Sequence, residues 1–575
     1  MLLVVQKAVI LFLGLLFFNT SLFATLPFSE DKLSKLSQNP QWHRLLHFKN
    51  GESEIDDKAF FFAQDGKRDP KAELKASIKK LISDKSNDEN STLCRYPSRS
   101  TWILKQLPIL KKEIFTPHCK KLNRELKELG AKEVTLILVS AHINSPASAF
   151  GHTFLRIDNN PNTPLLSYAV NYAAQTREEN GFIYAYKGLF GGYRGRYSIE
   201  PYYKKLKEYS DLEQRDIWEY KLNLTQEEID RLVLHIFEIR HFYADYFFLS
   251  ENCSYNILWL IDIAKKDSSL INSFNFKAIP IDTIRAVISK NLIKNSRYRP
   301  SQRKKILALS RAIKKNRVAL EFAKSKEYNL SKIEKLNKKE KIASLELATA
   351  LLKIRRSDNE IDKKEYLKDF LKLLKARSKL GKIKREKIPQ PPSPENAHLS
   401  AKSSISYGSD NSIKAKAKVS YHDIYDSDYG HIAGGYISFF DTTVEYKDKR
   451  LKLDEIDFLK IKSYALQDAI FKPISWEVSV GGKRIFNNEL NGYLKAGGGI
   501  TLGDNKLYGY TTITPAIYYK DEELKSISIN AGLLYNPSKY LKVGILTSDE
   551  WFKKDKSIKE IEPVSYTHLT LPTKA

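Results

Sequence analysis

The chain has 575 residues, of which 42% are hydrophobic, and a formal net charge of +27. At about 150 residues per domain, this length corresponds to about three or four domains. The sequence has no zinc-finger spacing, phosphate-binding loop or basic-aromatic module, so we expect no nucleic-acid partner. The excess of lysine is instead typical of solvated helix surfaces, or of a protein that meets anionic lipid or cell wall.

The N-terminus has the features of a secretory signal. Residues 1–24 (MLLVVQKAVILFLGLLFFNTSLFA) carry one lysine, an apolar run and a small final residue, Ala24. Beyond Ala24, no apolar stretch reaches the roughly 18 residues of a spanning helix. We therefore expect residues 1–24 to be a signal peptide, and the mature protein to be periplasmic, with outer-membrane association as a further expectation.

The three cysteines are informative in such an oxidising compartment. Cys94 and Cys119 both lie in the N-terminal part and are placed to form a disulfide. Cys253 is then the odd cysteine. An unpaired thiol is a liability outside the cytoplasm, so chemistry explains Cys253 better than packing does, although a buried apolar cysteine is the alternative.

Composition and periodicity divide the chain into segments. They are a signal peptide (1–24), an N-terminal helical cap (25–125), a thiol domain (126–290), a lysine-rich helical region (291–387), a proline-rich linker (388–398), a β-rich region (399–562) and a tail (563–575) that we interpret as a candidate artefact. The β-rich region alternates polar and apolar residues, as in YGYTTITPAIYY, which is typical of a membrane barrel or a soluble sandwich. The expected fold class is α+β with an antiparallel, barrel-like C-terminal domain.

Local patterns predict individual elements. Helical spacing predicts helices from Lys71 to Leu81 and from Trp102 to Phe115. The runs EVTLILVSA, HTFLRID, LLSYAVNYA and IWEYKLNL predict strands. Thr225, followed three residues later by Glu228, predicts a capping box at the start of a helix.

Cys253 and His152 are the predicted nucleophile and base. Asn252 is a helix-capping residue, so Cys253 and Ser254 fall in the first turn of an apolar helix whose dipole favours a thiolate. Free N–H groups there are suited to hold a developing oxyanion. His152 follows Gly151 at the start of a strand, where it is well placed to act as a base.

The third catalytic group is less determined by the sequence. Asn171, on the next strand, is the candidate that orients the imidazole of His152. His142, in the preceding loop, competes with it and could contact substrate instead, as Asn252 and Ser254 could. We predict no metal, because a zinc site from His142, His152 and Cys253 lacks the short ligand spacing common in such sites.

Four blocks, in this order, resemble the Lnb N-terminal periplasmic domain family: SAHINSPASAFGHTFLRID, YAVNYAAQ, YKGLFGGYRGRY and FFLSENCSYNILWLID. The resemblance covers residues 120 to 275. It implies a papain-like fold of the permuted NlpC type, in which Cys253 matches the family's nucleophile and His152 its base. It also implies acyl transfer through a thioester. The helical and β-rich regions that follow differ from those of the family's namesake. The resemblance therefore implies a class of reaction and not a particular substrate.

The function expected from these features is an exported cysteine-dependent acyltransferase or hydrolase that acts on an envelope lipid, a lipoprotein or a related ester or amide. A cell-wall cysteine peptidase or amidase and a non-catalytic envelope scaffold remain as alternatives. We predict no cofactor, and a membrane surface as partner. The tyrosine- and glycine-rich stretch from Tyr184 to Tyr203 is predicted to be a substrate-facing loop. The sequence gives no indication of oligomeric state.

Overall fold

The computed structural model describes residues 29–141, 150–178, 180–384, 387–408, 411–486, 489–553 and 556–567. The predicted signal peptide lies outside these residues. The chain divides into two compact units, Met1–Glu128 with Arg231–Ala244, and Leu129–Asp230 with Asp245–Ala575. Within the described ranges, no helix combines the length and apolar character needed to cross a membrane.

The first unit is mainly helical. Its helices are α1 (Glu30–Ser37), α2 (Pro40–Leu45), α3 (Pro70–Ser83), α4 (Thr92–Arg95), α5 (Pro97–Gln106) and α6 (Lys120–Leu129), with a hairpin of β1 (Phe48–Lys49) and β2 (Glu52–Ser53). Trp42 and Trp102 stack in its core with ring centroids 5.3 Å apart. Arg99 is buried beside two carboxylates, Glu73 at 2.8 Å and Glu238 at 2.6 Å, which satisfies its charge. A disulfide joins Cys94 to Cys119.

The helix predicted from Lys71 to Leu81 is confirmed by α3, where Asp69 caps the backbone N–H groups of Lys71 and Ala72. The helix predicted from Trp102 to Phe115 is too long. It ends at Gln106, and a separate 3-10 turn follows from Pro108 to Lys112. Proline has no N–H to donate and disfavours a helical conformation at Leu107 before it, so the α-helix stops there.

The second unit begins with a seven-stranded antiparallel sheet, here called the thiol sheet, in the order β8-β6-β5-β4-β3-β7-β9. Its strands are β3 (Glu133–Val139), β4 (His152–Asp158), β5 (Tyr168–Gln175), β6 (Tyr193–Pro201), β7 (Ile217–Leu222), β8 (Ala244–Tyr246) and β9 (Ile293–Arg299). The associated helices are α7 (Gly181–Phe190), α8 (Tyr202–Leu206), α9 (Gln226–Ile239), α10 (Cys253–Ala264) and α11 (Pro280–Ser289), with a π-helical turn at Lys207–Leu212. From Arg231 onward, α9 belongs to the first unit. All residues of α10 are buried, and the helix packs on β4 and β5.

The predicted capping box is present at the start of α9. The N–H of Thr225 donates to Glu228 Oε2 at 2.8 Å, and the N–H of Glu228 donates to Thr225 Oγ1 at 3.4 Å. The stretch from Tyr184 to Tyr203, in contrast, is not a loop, since α7 and β6 occupy most of it. Gly188 lets the ring of Phe248 approach closely, because a Cβ at Gly188 would lie 2.2 Å from that ring. The glycines therefore serve packing against α7.

A helical region follows the thiol sheet. It comprises α12 (Gln302–Ala312), α13 (Arg317–Lys324), α14 (Lys338–Ser357) and α15 (Lys363–Ser378). Apolar residues at helical spacing, among them Ile306, Phe322, Leu347 and Leu373, form its core, and the lysines lie outside. This is the arrangement that the amphipathic pattern predicts.

The C-terminal region is an 11-stranded antiparallel half-barrel. Its strands are β10 (Lys402–Tyr407), β11 (Ile413–Lys418), β12 (Ser420–His422), β13 (Gly435–Lys447), β14 (Arg450–Ser463), β15 (Ser475–Arg484), β16 (Leu490–Gly503), β17 (Leu507–Tyr519), β18 (Glu523–Ser538), β19 (Leu541–Phe552) and β20 (Lys556–Thr567). Except for β12, which pairs only with β13, they are paired in chain order. Because β20 extends to Thr567 and pairs with β19, residues 563–567 are part of the sheet rather than of a separate tail.

The half-barrel packs directly against the part of the chain that carries His152. Phe150 contacts Tyr421 and Phe439 of the half-barrel, with ring centroids 5.6 and 5.1 Å apart. The proline-rich linker is held as well, since Arg285 on α11 donates to the carbonyl oxygens of Ala397 at 2.7 Å and His398 at 2.9 Å. Linker, half-barrel and thiol sheet thus meet near one end of β4.

Candidate active site

Asn252 fixes the start of α10 and thereby the position of Cys253. Its Oδ1 accepts from the N–H groups of Ser254 at 3.0 Å and Tyr255 at 3.2 Å, and from Ser254 Oγ at 2.6 Å. Its Nδ2 donates to the carbonyl oxygens of Phe248 and Ala278. All polar atoms of the Asn252 amide are therefore engaged, so Asn252 and Ser254 hold the turn that presents the thiol.

His152 is placed by the strand pairing of β4. It lies opposite Val139 on β3, directly after Gly151. Gly151 has φ +94°, and a Cβ there would lie 2.8 Å from the carbonyl oxygen of Val139, so this turn requires glycine. The turn aims the imidazole at the N-terminus of α10.

Asn171 reaches the same imidazole from β5. Leu155 is paired with Val170, which puts Asn171 opposite Phe154 and on the same face as His152. Nε2 of His152 and Oδ1 of Asn171 are 2.6 Å apart. Since an amide oxygen only accepts, Nε2 carries the proton, and Nδ1 is the ring nitrogen available to the Cys253 sulfur.

The electrostatics favour a thiolate. Burial alone raises the pKa of Cys253, but the charge of His152, its hydrogen bond and hydrogen bonds from the Thr153 N–H and the Tyr246 hydroxyl outweigh it, so the pKa falls to about 7. Burial lowers the pKa of His152, yet the Cys253 thiolate and Asn171 raise it overall. The two shifts together favour a thiolate beside an imidazolium, the reactive form of a thiol nucleophile.

Tyr246 is a site residue that the sequence reasoning missed. Its hydroxyl accepts from the N–H of Cys253 at 3.2 Å and also bonds to the Cys253 sulfur. Burial and the nearby thiolate raise the pKa of Tyr246 well above its usual value, so the hydroxyl stays protonated and able to donate. Tyr246 lies on β8, only a few residues before Cys253, but no sequence pattern marks it.

Tyr209 and Arg215 support the other side of the imidazole. Tyr209 belongs to the π-helical turn, a feature frequent at functional sites, and its ring lies 5.6 Å from that of His152. The guanidinium of Arg215 lies over Tyr209 and donates to the carbonyl oxygen of Ser140 at 2.7 Å. These contacts restrict the orientation of His152.

The structure thus brings together Cys253, His152 and Asn171, and it places Asn252 and Ser254 in the turn below them. Cys253 and Asn171 are each 5% exposed, while His152 is partly exposed. His142 lies outside the described residues.

Comparison with known families assigns most of the chain to domains. Residues 34–106, 296–389 and 391–567 match three domains of unknown function, DUF7843, DUF7842 and DUF7840 respectively. No curated protein matches the chain, and no solved structure does. Residues 122–290, which contain Cys253, His152, Asn171 and Tyr246, match the Lnb N-terminal periplasmic domain, and this similarity supports a location in the periplasm.

Proposed function

We propose that the protein is a periplasmic cysteine-dependent acyltransferase or hydrolase that acts on an ester or amide of an envelope lipid or lipoprotein. The observation that carries the proposal is the Cys253–His152–Asn171 arrangement, in which a thiol of lowered pKa meets an oriented imidazole. A cysteine at a helix N-terminus, packed against an antiparallel sheet that carries the histidine, supports a papain-like fold of the permuted NlpC type.

In the first step, the Cys253 thiolate attacks the substrate carbonyl carbon and forms a C–S bond. The carbonyl π electrons move to oxygen, which gives a tetrahedral oxyanion. When the C–O or C–N bond of the leaving group breaks, the His152 imidazolium donates its proton to that group. The product is an acyl thioester on Cys253 and a neutral imidazole.

In the second step, water, an alcohol or an amine attacks the thioester. His152 takes the proton of the attacking group, the C–S bond breaks, and the thiolate and imidazolium are restored. Asn171 keeps Nε2 protonated throughout, so that Nδ1 exchanges the proton. The Tyr246 hydroxyl, which bonds to the sulfur, is the candidate donor to the oxyanion.

The half-barrel supports a lipid as the substrate class. Its outward face on β16 to β19 is apolar, with Ile500, Ile513, Ile529 and Ile545 each about half exposed. Larger rings stand near the strand ends on this same face: Tyr519, Tyr535 and Trp551. Monomeric proteins rarely expose a contiguous apolar face of this kind, which is typical of contact with lipid.

The opposite face of these strands is polar. Glu477 accepts hydrogen bonds from Tyr464 at 2.5 Å, Thr512 at 3.2 Å and Asn530 at 3.0 Å. Lys495 and Glu550 form an ion pair at 3.0 Å on the same side. An apolar exterior over a polar interior reverses the usual polarity of a soluble sheet, which supports an association of the half-barrel with the outer membrane.

The test is mass spectrometry of the full-length protein after incubation with phosphatidylethanolamine vesicles and, separately, with soluble peptidoglycan fragments. We expect an acyl adduct on Cys253, labile to hydroxylamine, or released fatty acid, with the lipid alone. Cys253→Ala abolishes both products. A matched control is Ser98→Ala, a small buried residue in the first unit, which keeps them.

Two results would contradict the proposal. An adduct or cleavage with peptidoglycan fragments alone would identify a cell-wall peptidase or amidase. No product with either substrate, together with a Cys253 that iodoacetamide does not alkylate at neutral pH, would identify a non-catalytic scaffold.

A further inference from the structure

Three histidines meet in the C-terminal region, far along the chain from the thiol site. His398 ends the proline-rich linker, His422 ends β12, and His431 precedes β13. One ring nitrogen of each lies within 4.8 Å of those of the other two. The ring centroids of His422 and His431 are 4.1 Å apart, and those of His398 and His431 are 4.6 Å apart.

The hydrogen bonds of His398 define its ring state. Nδ1 donates to the carbonyl oxygen of Leu399 at 2.7 Å, so in the neutral ring Nε2 carries a lone pair. Burial lowers the pKa of His398 to about 4, which keeps the ring neutral. Its Nε2 lies 2.8 Å from Nδ1 of His422. The lone pair of His398 therefore points at His422.

His422 cannot satisfy both of its neighbours as a neutral ring. If Nδ1 carries the proton and donates to His398, the lone pair of Nε2 faces the Asp428 carboxylate, whose Oδ1 is 3.3 Å away. If Nε2 carries the proton, two lone pairs face each other at 2.8 Å. A cation held by His398 Nε2 and His422 Nδ1 removes the conflict, because the Nε2–H of His422 is then free to donate to Asp428. Metal-binding histidines commonly have such a carboxylate behind them.

His431 supplies a third nitrogen. Its Nε2 is buried and has no hydrogen-bond partner among the described residues. Burial, followed by the neighbouring histidines, lowers the pKa of His431 well below its usual value, so this ring is also neutral. His431 thus carries an orphaned, buried nitrogen on a ring that brings one of its nitrogens within 4.8 Å of those of His398 and His422, and an ion would satisfy such a nitrogen.

The two nearby carboxylates, Asp426 at 3.7 Å from His398 and Asp428 at 3.3 Å from His422, are also paired with lysines, which leaves the imidazoles as the donors. Asp426 pairs with Lys418 and, at 3.1 Å, with Lys402. Asp428 pairs with Lys542 at 3.0 Å and accepts from Tyr508 at 2.8 Å. A set of neutral imidazoles suits zinc, copper or nickel, and does not suit magnesium or calcium, which prefer oxygen.

The histidines are accessible from outside through one of them. His398 lines a cavity of about 390 Å³. Arg285, Ser427, Tyr429 and Tyr566 also line this cavity. Because His398 lines it, the cavity offers an entry path to the three histidines.

We propose that His398, His422 and His431 bind one divalent transition-metal ion of the zinc class. Zn–N bonds are about 2.1 Å. To bind the ion, the rings of His422 and His431, whose planes are 10° apart, rotate out of their stacked arrangement so that their nitrogens converge with that of His398. The ion joins the linker to β12 and to the segment before β13. It also stabilises Tyr421, whose ring contacts His431 at 5.1 Å and Phe150 at 5.6 Å, and so the junction between the half-barrel and the strand that carries His152.

The test uses the full-length protein, with any affinity tag removed, stripped with EDTA and titrated with Zn²⁺ by calorimetry and with Co²⁺ by visible absorption. We expect one Zn²⁺ per chain and a higher Tm with the metal. His398→Gln and His431→Gln should each weaken binding by at least about 100-fold. His241→Gln, at an exposed histidine of the first unit, is the control and should bind as the wild type does.

Cys253→Ala distinguishes this site from the thiol site and should leave binding unchanged. If Zn²⁺ binding is lost in Cys253→Ala but kept in His398→Gln, the metal sits at the thiol and the proposal is wrong. It is also wrong if the EDTA-stripped wild type binds no stoichiometric Zn²⁺. Circular dichroism of each variant shows whether lost binding reflects a lost ligand or a lost fold, and His398 at the cavity is the substitution least disruptive to packing.

Discussion

The thiol sheet and the half-barrel use antiparallel strands in opposite ways. The strands β3 and β4 are buried on both faces after their first residue, and paired polar groups interrupt this burial, among them His152 with Asn171 and Arg156 with Asp158. In β17 the burial alternates along the whole strand, with mostly tyrosine and threonine side chains inside and Ile513 and Ile517 outside. In the thiol sheet, burial on both faces gives a low-dielectric site in which the pKa values of Cys253 and His152 are shifted. In the half-barrel, alternation gives each strand one polar and one apolar face, and the two faces contact different surroundings.

The largest expected change in the thiol pKa tests the thiol side of this comparison. In the wild type, the rate of alkylation by iodoacetamide should rise through about pH 7, where the Cys253 thiolate forms. In His152→Ala, the Cys253 thiol stays buried but loses its imidazolium partner, so its pKa should rise to at least the ordinary value of about 8.5. The rate of alkylation at pH 7 should then fall at least about tenfold. His241→Ala serves as the control. An unchanged pH profile would show that His152 does not set the thiol pKa.

Among the substitutions measured by turnover, Tyr246→Phe should have the largest effect. The variant keeps the ring and removes the hydroxyl that bonds to the sulfur and accepts from the Cys253 N–H. If the hydroxyl stabilises the oxyanion, kcat/KM falls by about 100-fold while KM changes little. Tyr184→Phe, a half-buried tyrosine near the same thiol, is the control. A loss that appears only in KM would assign Tyr246 to substrate binding instead.

Asn171→Ala should reduce turnover less, by about tenfold, because Asn171 acts through the tautomer of His152. The predicted signature is a changed pH–rate profile in a protein that alkylates at nearly the wild-type rate. Asn171→Gln tests whether a longer amide restores the hydrogen bond. If Asn171→Ala turned over substrate at the wild-type rate, the hydrogen bond from Asn171 would not be what orients His152, and Tyr209 would be left as the orienting residue.

The smallest effects concern the two faces of the half-barrel. Glu477→Ala leaves several buried donors without a partner and should lower the free energy of unfolding by about 1–3 kcal/mol. Ile513→Ser, on the outward face, should change it by less than about 0.5 kcal/mol yet weaken binding to vesicles. Vesicle flotation measures this binding, and Val318→Ser, at a similarly exposed apolar residue on α13, is its control. Equal flotation of the Ile513 and Val318 variants would contradict the lipid-facing role.

Much of the thiol site follows from local sequence rules. An asparagine whose side chain accepts from the next N–H groups caps a helix, so the position of Cys253 at the start of α10 could be predicted from Asn252. The position of His152 at the start of a strand could likewise be predicted from Gly151. The hydrogen bond between His152 and Asn171 joins neighbouring strands and follows from their pairing. The catalytic roles of these residues remain predictions. Tyr246 was not predictable, because its contact with Cys253 depends on how β8 enters the sheet.

The sequence by itself determined the elements whose signals are local: the capping box of Thr225 and Glu228, the helix α3, the strands β3 to β5 and the alternation of the half-barrel. Only the tertiary structure decided which distant groups meet. His398, His422 and His431 come from a linker, a strand end and a turn, and no periodicity connects them. The path of the linker and the pairing of β12 with β13 bring them together, because side-chain proximity over such separations is set by the packing of the whole chain.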